Sequence, residues 1–358
     1  MAAALSRRRG EFDAWSGLVG ARDDLLVDLD RPRSPTGLEQ YAACPFRFFL
    51  SSVLRIGGSH DPTEVDLISA LDEGSLVHEV LERFILAAGP KPPHEPWSPE
   101  DREAMLALVD EVTSRYRSEG RTGRELLWGV RVKQLRHQLL RVLDTDERLR
   151  AERGVTPAAV ELSFGLDDRA PVTLQLDDGR TVAFKGTADR VDVSPDGRRL
   201  VVYDYKSGKH EPFLGVQYDG EGGGDLTARG TKLQLPIYAL AAQRRWPDAE
   251  EVEARYWFVG SRSNGRTLGG PFDDAAERRF RDVVGTVVDG IEGGRFPANP
   301  GREQYRSGAW THDNCGWCDF DRVCPTTRGE TWVQLRRSPA LADYVALAEE
   351  QHAAEPDG

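Results

Sequence analysis

The chain holds four cysteines in 358 residues, and their placement restricts the fold more than any other feature. Cys44 stands alone near the start, whereas Cys315, Cys318 and Cys324 fall together near the end. The late three read Cys-x2-Cys-x5-Cys, a spacing that gathers thiolates round a metal rather than pairing them in a disulfide. Three soft thiolates want a fourth ligand, and Cys44 is the cysteine that remains. The expectation is topological: the two ends of the chain meet, clasped by one centre. Four thiolates suit either zinc or an iron–sulfur cluster, and spacing alone leaves both open.

That reading presumes a reducing compartment. No run approaches the ~18–20 apolar residues that span a bilayer. The opening residues, with Arg7-Arg8-Arg9, lack the apolar core of a secretory leader. A cytoplasmic chain without a membrane partner is therefore expected. An apolar fraction of 39% and a charged fraction of 30% suit a folded globular chain. The net charge of −12 argues against a protein that coats DNA through a general positive field. It does not exclude a local basic groove, and carboxylates that bind metal, like the acidic tail (Glu349, Glu350, Glu355, Asp357), add to the negative count.

The chemistry concentrates between Gly186 and Lys206. Two short apolar runs flank the turn Ser194-Pro195-Asp196-Gly197, which predicts a β-hairpin. The first run carries Asp189; the second, Leu200-Val-Val-Tyr-Asp-Tyr-Lys206, carries Asp204 and Lys206 two residues apart. Positions i and i+2 of a strand share a face. An acid and a lysine side by side, with a second acid on the paired strand, can hold a divalent cation and a water beside an ammonium.

Other elements are read in chain order. Residues 1–33 form a lead-in or linker, and sequence leaves open whether the chain is free-standing or a fragment. Ser34-Pro35-Thr36 caps a helix to about Leu54, broken near Cys44 by Pro45. A helix over about 66–88 carries His78, with helices over about 99–118 and 124–152 following. Arg131, Lys133, Arg136, His137 and Arg141 make a basic stripe on the last of these, the candidate for phosphate contacts. Strand signals begin near Ala159, and residues 217–230, rich in Gly and acids, predict a flexible loop. Gln234 and Tyr238 open a helix; strand and helix signals recur at 253–259 and 275–291. No Gly-x4-Gly-Lys-Ser/Thr sequence is present, so no P-loop is expected.

Asp189 followed by Asp204-Tyr205-Lys206-Ser207-Gly208 resembles the active-site signature of the PD-(D/E)XK nuclease superfamily, and Gly186-x-x-Asp189-Arg190-Val191-Asp192 is similar to its RecB/AddB-type branch. Ala188 replaces the proline of the signature, as that branch commonly shows. Gly74-x3-His78, Gln234-x3-Tyr238 and Cys44-Pro45-Phe46 resemble further motifs of that branch. The resemblance implies a restriction-endonuclease-like α/β core, a small mixed sheet flanked by helices, with added N-terminal helices and a C-terminal cysteine clasp. Expected boundaries are 34–158 (mostly helical), 159–300 (catalytic core), 301–326 (clasp) and 327–358 (helix and acidic tail). It implies Mg2+ or Mn2+ held by His78, Asp189, Asp204 and the Tyr205 carbonyl, imidazole favouring Mn2+. Lys206 would orient the attacking water, while Gln234 and Tyr238 would bond the attacked phosphate and the backbone. Glu161 stands where related nucleases carry a further acid. For the cysteines the resemblance selects a [4Fe–4S] cluster over zinc. The implied function is a metal-dependent DNA exonuclease in repair or recombination, with a helicase subunit as partner. The competing classes are a non-catalytic DNA-binding or scaffold module, and a zinc-clasped interaction domain.

Overall fold

The computed structural model describes residues 11–21, 31–57, 67–220, 223–260, 265–306, 308–316 and 318–349. Parts of the lead-in, the start of the His78 helix region, two residues of the Gly-rich stretch and the acidic tail lie outside them.

The hairpin sits at the centre of a five-stranded mixed sheet. Its strands are β1 (Thr156–Phe164), β4 (Gly186–Val193), β5 (Arg199–Lys206), β6 (Glu251–Phe258) and β7 (Thr267–Pro271), in that spatial order. β2 (Val172–Gln175) and β3 (Thr181–Phe184) pair separately. β5 runs antiparallel to β4 and parallel to β6. A strand so placed is covered on both faces, which explains why 200–205 reads as an apolar run rather than an alternation.

Each face has its own core. On one side Leu200 and Val202 pack with α1 (Pro35–Ala43), α5 (Gln234–Arg245), α6 (Asp274–Glu292) and α7 (Ala342–Glu349). On the other, Val201, Tyr203 and Tyr205 pack with α2 (Ala70–Ala88), α3 (Pro99–Ser118) and α4 (Glu125–Arg153). α5 is the crossover between the parallel β5 and β6, so its first turn falls beside the end of β5.

Helix starts follow local chemistry. Ser69 accepts from Asp72 N to cap α2, and Ser98 with Asp101 forms a capping box on α3. Ser34 stands at the cap position of α1, but there Pro35 sets the start and no side-chain bond is made. α1 ends at Cys44, whose extended backbone (φ −156°) is what a residue before proline prefers. Gly290 of α6 has no Cβ because the Tyr41 hydroxyl occupies that space, and that hydroxyl donates to Arg295 O at 2.7 Å.

One expectation changes. Residues 223–230 are packed turns, not a loose loop: Asp225 accepts from the Thr227 and Arg229 amides, each at 2.8 Å, and Leu226 and Thr227 are buried. The region before the late cysteines holds a hairpin, β8 (Glu303–Arg306) with β9 (Ala309–His312).

The helical side carries a buried ion network. Arg190 of β4 and Arg150 of α4 converge on Asp146, at 2.6 and 2.7 Å, and Trp97 Nε1 donates to the same carboxylate at 2.8 Å. Asp192 holds the other edge of the Arg190 guanidinium at 2.5 and 2.6 Å. All four charged groups are buried. Removing one partner of such a set leaves a desolvated charge uncompensated. Asp146→Ala is therefore expected to lower unfolding free energy by about 3–5 kcal/mol, measured by urea denaturation. A loss no larger than that of a typical surface substitution would show that the network contributes little to stability.

Candidate metal and catalytic site

The site forms where β4 and β5 part. Their pairing runs from Val193↔Leu200 to Arg190↔Tyr203 and stops. One step further the Asp189 carboxylate replaces the partner carbonyl: the Tyr205 N–H donates to its Oδ2 at 2.5 Å. Beyond this fork the Tyr205 carbonyl turns to the helical side, where His78 Nε2 lies 3.1 Å from it. The other ring nitrogen, Nδ1, lies 3.3 Å from Asp189 Oδ1. His78 comes from α2, one turn before Glu82 on the same side. Burial pulls its pKa down, but the hydrogen bond and charge of Asp189 outweigh this, and the net direction is up.

β1 supplies a third acid. Val160 pairs with Arg190 and Leu162 with Ala188, which sets Glu161 opposite Asp189. Glu161 has φ +49°, a left-handed conformation that a non-glycine residue adopts at a cost of order 1–2 kcal/mol. Such strain collects at working sites. Burial first, then the charges of Asp189 and Glu82, push its carboxyl up to about 7. Among the described residues, the ligand atoms of His78, Glu161 and Asp189 lie within 4.8 Å of one another.

Asp204, one residue before Tyr205 on β5, is buried and touches the Lys206 ammonium. Burial raises its pKa, and Lys206 offsets part of the rise. Lys206 Nζ also donates to Gln234 Oε1 at 3.0 Å, and Gln234 Nε2 donates to the Tyr238 hydroxyl at 3.4 Å. The α5 start that carries Gln234 is itself pinned. Glu39 of α1 accepts the Leu233 N–H at 2.6 Å.

These donors suit a hard divalent cation. They are carboxylate and carbonyl oxygens with one imidazole, a set that Mg2+ and Mn2+ accept. Ligands at about 2.1 Å from one ion and at right angles lie about 3 Å apart, close to the 3.3 Å between His78 Nδ1 and Asp189 Oδ1. Two acids held above their ordinary range by burial mark negative charge that a cation would balance.

Two members of the basic stripe are paired with acids on neighbouring helices. Arg131 lies against Glu73 of α2, with Nε to Oε2 at 2.8 Å, and Arg136 pairs with Asp110 of α3. Both guanidinium groups tie helices together, because three packed helices place an acid in reach of each. Lys133, His137 and Arg141, four residues apart, are exposed along one face of α4.

The cysteines gather from both ends. Cys44 is buried at the α1 break, and Asn314 Nδ2 donates to Ala43 O at 2.7 Å. Burial pushes the Cys44 thiol up to about 11, and the nearby Cys324 and Cys318 add to the rise. Burial likewise raises Cys315 to about 11, with Arg328 opposing and Cys324 and Cys318 adding. Cys318 and Cys324 thus act on both Cys44 and Cys315, and the Arg328 guanidinium opposes the rise at Cys315 and Cys324.

Sequence reasoning missed Glu39. Its one signal is an acid on the apolar face set by Leu38, Tyr41 and Ala42, where a carboxylate needs a buried partner.

A family profile described as the PD-(D/E)XK nuclease superfamily matches residues 32–325. Among curated proteins, the chain is 32% identical over 224 residues to a subunit of the ATP-dependent helicase/deoxyribonuclease of Symbiobacterium thermophilum, covering 58% of this chain and 17% of that protein. The proteins of the same description from Clostridium tetani and Moorella thermoacetica are 28% identical over 227 residues and 29% over 272. Those matches cover 62% and 71% of this chain, and 18% and 22% of the relatives. The chain thus spans about a fifth of the length of these relatives.

An acid whose folded pKa lies above its unfolded value stabilises at low pH and loses that contribution as pH rises through the folded value. For Glu161 the window runs from 4.5 to about 7. In chelator, the wild-type Tm is expected to fall across this window relative to Glu161→Gln. Above it, Mg2+ or Mn2+ is expected to raise the wild-type Tm more than that of the variant. Parallel Tm–pH curves would remove Glu161 from the site.

Proposed function

The chain belongs to the PD-(D/E)XK nuclease superfamily, and we propose that it hydrolyses DNA phosphodiester bonds with Mg2+ or Mn2+, acting from ends as an exonuclease in repair or recombination. The observation that carries this is the fork itself, where Asp189, Asp204 and Lys206 gather with His78 and the Tyr205 carbonyl. The named relatives, as helicase/deoxyribonuclease subunits, support DNA as substrate and a helicase as partner.

Asp189, Asp204, His78 and the Tyr205 carbonyl would hold the cation, with Glu161 beside them. When bound, the cation polarises the phosphate and lowers the pKa of a water. Lys206 orients that water and offsets charge on the phosphate as the attacking oxygen adds. Gln234 keeps the ammonium aimed, and Tyr238 keeps Gln234 in place. A protein group preorganised this way needs no rearrangement when charge develops. We assign the catalytic unit to residues 34–326, with Cys44, Cys315, Cys318 and Cys324 holding a [4Fe–4S] cluster in a structural role.

Labelled linear DNA, single- and double-stranded, offered with Mg2+ or Mn2+ under anaerobic conditions tests the hydrolysis. Lys206→Ala is expected to lose at least about 10²–10³ in rate, and Asp204→Ala to be inactive. Wild-type rates in Asp204→Ala would overturn the assignment. The anaerobically purified protein is expected to be brown, and Cys318→Ser pale with a lower Tm. A colourless wild type with one bound zinc would replace the cluster by that ion.

A further inference from the structure

A second ammonium stands at the site without a role in the hydrolysis just described. Lys232 precedes α5 by two residues and is half-buried. Among the described residues its ammonium takes no ion pair; instead Nζ rests 4.5 Å from the centroid of the Phe213 ring. Lys206 Nζ faces the same ring at 6.0 Å. Phe213 lies in the short helical turn Glu211–Val216 that follows β5, so one aromatic side chain stands beside both lysines. The electrostatic neighbours of Lys232 are Glu39 and Lys206, whereas the charges acting on Asp204 come from Lys206, Asp189 and His78. Glu39, the one acid that reaches it, already accepts the Leu233 N–H. Burial draws the ammonium toward its neutral form, and repulsion by Lys206 adds to this against the pull of Glu39.

A half-buried cation with no anion on it carries an uncompensated desolvation cost. The aromatic face offsets part of that cost and fixes the direction of the amine. Arg131, Arg136 and Arg190 are all met by carboxylates, so Lys232 differs from them in being left open for charge from outside.

We propose that Lys232, set on the Phe213 ring, binds a non-scissile phosphate of the DNA strand whose neighbouring phosphate lies at Lys206. This rests on the nuclease reading above. Lys232 fixes the position of the strand; Lys206, in contact with Asp204, acts on the reacting phosphate. A phosphate contact neutralises one charge and releases counterions, which makes its contribution visible in salt dependence.

The test measures binding of a labelled single strand to the full chain in an Asp204→Asn background, across KCl concentrations. Removing one phosphate contact with Lys232→Gln is expected to reduce the slope of log K against log salt by about 0.7 and to weaken binding about three- to fivefold at about 0.15 M. Lys232→Arg, which keeps the charge, is expected to restore the slope. With otherwise native enzyme, Lys232→Gln is expected to raise KM while kcat stays within about twofold. An unchanged slope in a folded Lys232→Gln protein, or a slope that Lys232→Arg fails to restore, overturns the proposal and leaves the nuclease reading intact. No DNA binding by the Asp204→Asn parent overturns both.

Discussion

One hydrogen bond organises this molecule: the Tyr205 amide donating to Asp189. In a continuous ladder that amide would bond the backbone of β4. A buried amide without any partner would cost about 1–3 kcal/mol, so the strands separate only because a side chain takes over the bond. The carboxylate that does so is the one that also faces His78. Separation of the strands, satisfaction of the backbone and formation of a ligand set are consequences of the same contact. The carbonyl of the same residue is left to point at the imidazole.

The electrostatics follow from placing acids at the fork of a sheet that is covered on both faces. Asp189 and Asp204 are buried, and Glu161 is half-buried with its backbone held in a left-handed turn. The surrounding helices, not water, fill the space on either side, and that burial pushes the Glu161 and Asp204 carboxyls up. The cations nearby are graded. Arg190 is fully paired on the helical face, Lys206 is shared between Asp204 and Gln234, and Lys232 rests on an aromatic ring with Glu39 as the acid in reach. That gradation runs from structural support to the place where a polyanion would arrive.

Much of this was legible in the residues because the signals were local. The Pro/Asp/Gly turn between two apolar runs specified the hairpin, and Cys44-Pro45 specified the break in its helix. The ordered motifs, through the family they resemble, implied a mixed α/β core. What was not legible depends on residues far apart in sequence. The partners of Arg131 and Arg136 lie on other helices, Glu39 finds its amide nearly two hundred residues later, and the conformation of Glu161 reflects a strand alignment. A basic stripe reads the same in sequence whether its charges are free or matched. The Gly-rich stretch likewise reads as loose, although Asp225 folds it into packed turns.

The alternation along β4 has one more consequence. Asp189 and Arg190 are neighbours, yet one faces the ligand set and the other the Asp146–Asp192 network. Sliding β4 by a single position exchanges the two faces. Moved one way, β4 puts the Arg190 guanidinium among the proposed ligands and Val191 in the place of Arg190 against Tyr203 and Trp257; moved the other way, it puts a bare Asp189 carboxylate against those rings and Ala188 among the proposed ligands. Misalignment in either direction is penalised, so the strand checks its own threading, and the tolerance that weakly patterned strands have for slippage is absent where the chemistry could least accommodate it.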